Sequence, residues 1–91
     1  MEAFTNDENR WANTIGHRIV EERNKPIFDV GTIIQDCETN AEDKTCSEPF
    51  CECMAHAAQF LKLAVKYNDK KALELAEMAA YGMMYGNMYD K

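Results

Sequence analysis

Residues 46–86 read CSEPFCECMAHAAQFLKLAVKYNDKKALELAEMAAYGMMYG, and this stretch decides the fold. From Glu48 to Tyr67 it is apolar on nearly all sides. Its narrow polar stripe consists of Glu52, Gln59, Lys62 and Lys66. Because a helix with so wide an apolar surface must contact neighbours on two sides, the segment is predicted to be the central helix. Ser47 is a candidate N-cap, and Pro49 suits a first helical turn.

A second helix of the same stretch is predicted to pack back onto the central one. Asn68 or Asp69 is expected to cap it, and it should run to about Tyr85. Small residues that permit close helix approach recur along it at Ala72, Ala76, Ala79 and Ala80. Since the link between the two helices is very short, they should form an antiparallel hairpin at the C-terminal end of the fold.

Two further helices are predicted in the first half of the chain. Thr5 and Glu8 have capping-box spacing, so a helix should run from Asn6 to about Arg23. A second should run from Ile27 to Glu38, followed by a polar loop over residues 39–46. The predicted fold class is therefore all-α, with residues 1–91 forming a single compact four-helix domain.

Length and composition are those of one folded domain. The chain has 91 residues, of which 46% are hydrophobic and 29% charged, close to the average of globular proteins. The first residues are acidic and polar, unlike a signal peptide, and the apolar runs are shorter than a membrane span requires. These features predict a cytoplasmic protein that does not associate with a membrane.

The negative charge is concentrated in one segment. The whole chain carries a net charge of −6, which argues against direct nucleic-acid binding. Residues 36–52 hold one lysine and six acids, a local balance of −5; the acids are Asp36, Glu38, Glu42, Asp43, Glu48 and Glu52. Such a run can simply be solvated. The functional hypothesis is that these six acids dock on a protein partner with a basic surface.

Five candidate soft metal ligands lie in or beside the acidic segment. They are Cys37, Cys46, Cys51, Cys53 and His56. Thiolates and imidazole suit tetrahedral zinc, so a zinc site is one hypothesis. Helical Cys51 and Cys53 would lie about 200° apart and could not both bind one ion. Reduced structural cysteines and disulfides are the two alternatives that the sequence leaves open.

The C-terminal tail is rich in large, adaptable side chains. Its candidate interface residues are Tyr81, Met84, Tyr85, Met88 and Tyr89. Part of this set can pack in the core, but the number of large apolar groups exceeds what one face of a small bundle absorbs. Tyrosine and methionine are common at interfaces, so the tail is predicted to support self-association as a homodimer or partner binding.

These features together describe a protein that works by binding. The leading hypothesis is a small acidic interaction module, acting as an inhibitor or adaptor on a basic, nucleic-acid-binding partner. Small proteins of phages and mobile elements often act in this way, which is an analogy by size and charge. The alternative is a zinc-binding or thiol-redox-responsive regulator that uses the cysteine and histidine cluster. No set of acid, base and electrophile indicates an enzyme.

Overall fold

The computed structural model describes residues 4–82, and within that range the protein is all-α. Four helices follow one another along the chain. They are α1 (Asn6–Arg23), α2 (Gly31–Ala41), α3 (Glu48–Tyr67) and α4 (Lys70–Ala80). The predicted four-helix fold is confirmed. None of the helices described here is long and apolar enough to cross a membrane.

Helix α3 is the centre of the bundle, as its wide apolar surface predicts. It packs against α2 on one side and α4 on the other, while α1 packs mainly on α4 and only lightly on α2. The largest fully buried side chains come from all four helices and from the residue before α2: Phe50, Ile15, Ile19, Met54, Leu61, Leu73, Val30 and Cys37. One apolar core therefore joins the four helices.

Helix α1 begins at the predicted capping box. The Glu8 backbone amide donates to the Thr5 hydroxyl at 3.1 Å, and the Thr5 amide donates to Glu8 Oε1 at 3.0 Å. Its apolar face is buried at Ala12, Ile15 and Ile19. The periodicity and the cap thus give both ends of this helix correctly.

Helix α2 starts and ends later than predicted. Ile27 was expected in its first turn, but this side chain is 87% exposed and lies in the preceding loop. The loop is held by Asp29, whose amide donates to Glu22 Oε1 at 2.9 Å and whose Oδ1 accepts from Gly31 at 3.3 Å. The helix then runs to Ala41, so the predicted loop over residues 39–46 is shorter than expected.

Helices α3 and α4 form the predicted hairpin. Asn68 ends α3 in the left-handed region with φ 49° and ψ 50°, and Asp69 caps α4 by accepting from the Lys71 amide at 2.9 Å. Helix α4 ends at Ala80, earlier than the predicted Tyr85, which lies outside the described residues. The chain turns at Gly82, where φ is +78°, a conformation that glycine adopts without strain.

The two ends of the described chain meet at the core. The Phe4 ring contacts Phe50 edge-on, with 5.4 Å between the centroids. A Cβ at Gly82 would stand 3.1 Å from the Phe4 ring, so a side chain there would require the ring to shift. Arg23 at the end of α1 pairs with Glu77 of α4 at 2.6 Å. The N-terminal and C-terminal helices are therefore tied together.

Candidate functional site

Two of the six predicted docking acids are paired within the fold. Asp36 Oδ2 on α2 accepts from Arg18 Nη1 of α1 at 2.6 Å. Glu38, also on α2, pairs with Lys62 of α3. The lysine and the arginine come from outside the acidic segment, so the fold partly neutralises charge that the sequence shows as an uncompensated run.

The carboxylate of a third acid, Asp43, binds to the loop in which Asp43 lies. Its Oδ1 accepts hydrogen bonds from the Thr45 hydroxyl at 2.6 Å and from the Thr45 amide at 2.9 Å. These bonds, the hydroxyl bond first, hold the pKa of Asp43 below its ordinary value. The carboxylate therefore stays ionised at neutral pH, and it organises the loop between α2 and α3.

The remaining three acids differ from these, because their carboxylates are neither paired with a cation nor bound into the loop in the part of the chain that the structure describes. Glu42 follows the last residue of α2, Glu48 is the first residue of α3, and Glu52 lies one turn further along. Glu42 and Glu48 are exposed and Glu52 is half-buried. Within residues 4–82 none of the three forms an ion pair. We call these three residues the acidic end.

The loop between α2 and α3 keeps the acidic end together. The Cys51 thiol of α3 donates to the Asp43 carbonyl at 3.4 Å and to the Asn40 carbonyl at 3.6 Å. The C-terminus of α2 and the N-terminus of α3 therefore lie side by side. Glu48 also stands where the dipole of α3 favours a negative charge.

Glu8 has a structural role in this region, and the sequence indicates only one part of that role. The carboxylate is buried, and it accepts from the Ser47 amide and hydroxyl, both at 2.7 Å, in addition to its capping bond with Thr5. Burial acts to raise the pKa of Glu8, but the bonds from Ser47 and Thr5 together hold it below its ordinary value. Glu8 thus joins the N-termini of α1 and α3.

Ser47 has a different role from the one predicted. It is the N-cap residue of α3, as expected, but its side chain makes no capping hydrogen bond to that helix. Its hydroxyl donates to Glu8 instead. The contact joins residues 39 positions apart. The capping-box spacing identifies Glu8 as a helix cap, but no local pattern indicates a partner so distant in the sequence.

The five candidate zinc ligands occupy different environments. Cys37 and Cys53 are buried in the core, Cys46 and Cys51 are half-buried beside the loop, and His56 is exposed on α3. In the part of the chain that the structure describes, no group of three or more His, Cys, Asp or Glu side chains is placed to hold a metal ion. The zinc site stays a prediction.

Burial makes the core thiols poor nucleophiles. Desolvation, reinforced by Asp36, raises the pKa of Cys37 to about 12. Desolvation also raises the pKa of Cys53 to about 11. The pKa values of Cys46 and Cys51 are raised as well, first by burial and then by the Asp43 charge. Since the thiolate is the reactive form, all four thiols are less reactive than free cysteine.

Only one residue of the predicted tail interface lies in the described part of the chain. Tyr81 follows α4, and its ring lies 6.2 Å from that of His17 on α1. A Cβ at Gly16 would overlap the Tyr81 ring, so the missing side chain at Gly16 creates the space for it. Tyr81 is therefore half-buried within the fold. The other four predicted interface residues, Met84, Tyr85, Met88 and Tyr89, lie outside the described residues.

Comparison with known proteins adds no relative to this picture. No protein-family model, no curated protein and no solved structure matches the chain. Arguments about function therefore depend on the geometry and charge of the chain itself.

Proposed function

We propose that this protein is a small non-enzymatic interaction module that docks its acidic end on a basic surface of a protein partner. The observation that carries the proposal is the position of Glu42, Glu48 and Glu52. They lie where α2 ends and α3 begins, and none has an ion-pair partner among the described residues. Exposed carboxylates of one sign attract and orient a basic partner over several ångströms.

The proposed docking surface contains fewer acids than the six that the sequence suggests. Asp36 and Glu38 are compensated by Arg18 and Lys62, so their charges attract a partner less. We therefore leave them out of the docking surface and place the docking contacts at the acidic end. A rigid base supports those contacts, because α3 continues from Glu48 directly into the fully buried Phe50.

The proposed partner is a cytoplasmic protein whose basic surface binds nucleic acid. Carboxylates grouped at one end of a small domain present negative charge in the way that a row of phosphates does. The module would then act as an inhibitor that covers this surface, or as an adaptor that recruits the partner. In this proposal the protein binds neither nucleic acid nor membrane itself.

Neutralising the acidic end is expected to weaken binding to a basic probe. A synthetic polylysine peptide serves as the probe, and Glu42→Gln combined with Glu48→Gln is the variant. Each lost charge pair contributes modestly in water, so we expect roughly threefold to tenfold weaker binding at low salt. The difference should shrink as salt rises, because salt screens exposed charges. Isothermal titration calorimetry measures both effects.

The matched control removes the same amount of charge elsewhere. Glu21 of α1 and Glu74 of α4 are exposed and form no ion pair among the described residues. Glu21→Gln combined with Glu74→Gln should bind polylysine nearly as well as the native protein. Equal losses in the two double variants would show that only net charge matters, and the acidic end would lose its assigned role.

A second proposal is a metal- or redox-responsive regulator, and the placement of Cys46 and Cys51 favours it. Both thiols are half-buried beside the same loop, and the Cys51 sulfur lies 4.0 Å from the Cys46 carbonyl. Oxidation of this pair would alter the loop that shapes the acidic end. Zinc bound by members of the cysteine and histidine cluster, Cys37, Cys46, Cys51, Cys53 and His56, would act on the same region.

Thiol labelling distinguishes the accessible pair from the core pair. We expect an alkylating reagent to label Cys46 and Cys51 first in the folded protein at neutral pH. Cys37 and Cys53 should react only after unfolding, since a pKa of about 11 leaves Cys53 roughly a hundredfold less thiolate than an ordinary thiol. Mass spectrometry of labelled peptides gives the order, and fast native labelling of Cys37 would contradict it.

The state of the purified protein tests the regulator itself. Native mass spectrometry without reductant or chelator shows whether zinc is bound and whether thiols are oxidised. A zinc mass, lost together with the fold on chelation, would support the metal version. A protein that stays metal-free with added zinc, and whose thiols stay reduced after peroxide treatment, would rule out both versions.

A further inference from the structure

The solvent-facing side of α3 has an ordered charge pattern. Positions separated by steps of four and three residues share one face of a helix. Such steps give the outer stripe of α3, which is Glu48, Glu52, Ala55, Gln59, Lys62 and Lys66. Five of these residues are exposed and Glu52 is half-buried. The stripe is acidic in its first half, neutral in the middle and basic in its second half.

The charges of the stripe are complementary to those of a second, antiparallel copy of the same stripe. In an antiparallel pair of α3 helices crossing at Ala57, Glu48 lies opposite Lys66 of the second copy. Glu52 then lies opposite Lys62, and Ala55 lies opposite Gln59. Each pairing occurs twice because the arrangement is two-fold symmetric. A parallel pair would instead place like charges together, so the pattern selects one orientation.

We propose that a second copy of this chain packs on the outer stripe of α3 as an antiparallel, two-fold symmetric dimer. Beside the crossing, Ala55 lies opposite Gln59 of the second copy, and the small side chain of Ala55 lets the helices approach closely. The five steps of the stripe average 3.6 residues, the period of an α-helix, so the stripe keeps to one face along α3. Antiparallel helix dipoles add to the attraction. Leu63, which is 43% exposed at the edge of the stripe, gains an apolar contact.

The lysines of the stripe are available for this role. Lys62 pairs with Glu38 in the single chain, but their side chains are 56% and 46% exposed. Such a surface pair contributes little, so Lys62 can turn to Glu52 of the second copy at small cost. Lys66 is exposed, and its Nζ stands 5.3 Å from the Tyr67 ring centre, an exposed contact that also contributes little.

The proposed dimer does not rest on the proposed docking function. It requires no foreign partner, and it uses α3 lysines that docking does not use. The two are nevertheless linked, since Glu48 and Glu52 belong both to the acidic end and to the outer stripe. A basic partner and a second copy would therefore compete for the same carboxylates.

Charge reversal on the full-length chain tests the dimer. Glu48→Lys with Glu52→Lys makes the stripe wholly basic, and Lys62→Glu with Lys66→Glu makes it wholly acidic. Each variant alone should self-associate at least about tenfold more weakly than the native protein, since attractive pairs become repulsive. An equimolar mixture of the two should form a heterodimer. Sedimentation equilibrium at low salt measures all three, and circular dichroism checks that each variant is folded.

Two controls make the test specific. Glu21→Lys with Glu74→Lys changes the net charge equally on other faces, and it should leave the dimer intact. A quadruple variant that exchanges all four stripe charges should dimerise like the native protein. A native chain that is monomeric at about 100 µM and low salt would overturn the proposal. A dimer that persists in both reversed variants would also overturn it and would point to the Tyr81–Tyr89 tail.

Discussion

Replacing Phe50 with alanine is expected to lower the free energy of unfolding by about 3–5 kcal/mol, the range for truncating a buried phenylalanine. The Phe50 side chain is fully buried in the first turn of the central helix. Its ring contacts Phe4, which in turn lies against Gly82. The substitution would therefore leave a cavity where both ends of the described chain meet. Chemical denaturation measures the loss.

The same helix provides the control for this substitution. Tyr67 has an aromatic ring of similar size, but it is 64% exposed at the end of α3. Tyr67→Ala should change stability by about 0.5 kcal/mol or less, as exposed substitutions usually do. Equal losses in Phe50→Ala and Tyr67→Ala would contradict the placement of Phe50 in the core.

Glu8→Gln is expected to destabilise the protein by about 1–3 kcal/mol at neutral pH. The Glu8 carboxylate is buried and accepts hydrogen bonds from Ser47 and Thr5. A glutamine amide has one acceptor oxygen instead of two, so a buried donor would lose its partner. Thermal or chemical unfolding of both proteins at pH 7 measures the difference. Gln59→Glu, an exposed change between the same residue types, should have little effect.

The destabilisation caused by Glu8→Gln should become smaller as the pH falls. The pKa of Glu8 is held below its ordinary value of 4.5, so the ionised carboxylate stabilises the folded state. That stabilisation is fully present above pH 4.5 and is lost as pH falls through the lower folded-state pKa. The stability gap between native protein and variant should therefore narrow in acid. A gap that stayed constant down to pH 2 would contradict the assigned role of Glu8.

The sequence predicts the fold well where local patterns and long-range packing agree. Helix α3 has the predicted bounds, since Ser47 and Asn68 end a segment that is apolar on nearly every side. Helix α2 was placed too early because Pro26 and Ile27 look like a first turn. The start of α2 is set instead by Asp29. The amide of Asp29 donates to Glu22 of the preceding helix, a contact that helical periodicity in the sequence does not indicate.

The candidate site was less predictable because its charge depends on partners from distant helices. The sequence shows six acids and one lysine in residues 36–52. The fold adds Arg18 and Lys62 to this region and so compensates Asp36 and Glu38. Neither cation lies within the segment, so counting charges in it overestimates the exposed negative charge. Asp43 is bound into its loop, and only the fold shows that the acids left without a partner among the described residues are Glu42, Glu48 and Glu52.

The residues of the outer stripe of α3, unlike those that determine the charge of the candidate site, all lie close together in the sequence. The six residues are all visible in the sequence, and four of them form the narrow polar stripe that predicts a central helix. Their order becomes meaningful once the structure shows that α2 and α4 flank α3 and leave this face open. Solvation explains why the residues are polar, but it does not require acids at one end and lysines at the other.

A titration of the isotope-labelled native protein with polylysine, followed by nuclear magnetic resonance, tests the central claim most directly. Backbone amide signals report where a partner binds, residue by residue. Docking through the acidic end predicts that shifts concentrate in residues 42–52 and fade as salt is added. Shifts that spread evenly over the surface, or that concentrate on the outer faces of α1 and α4, would contradict the claim.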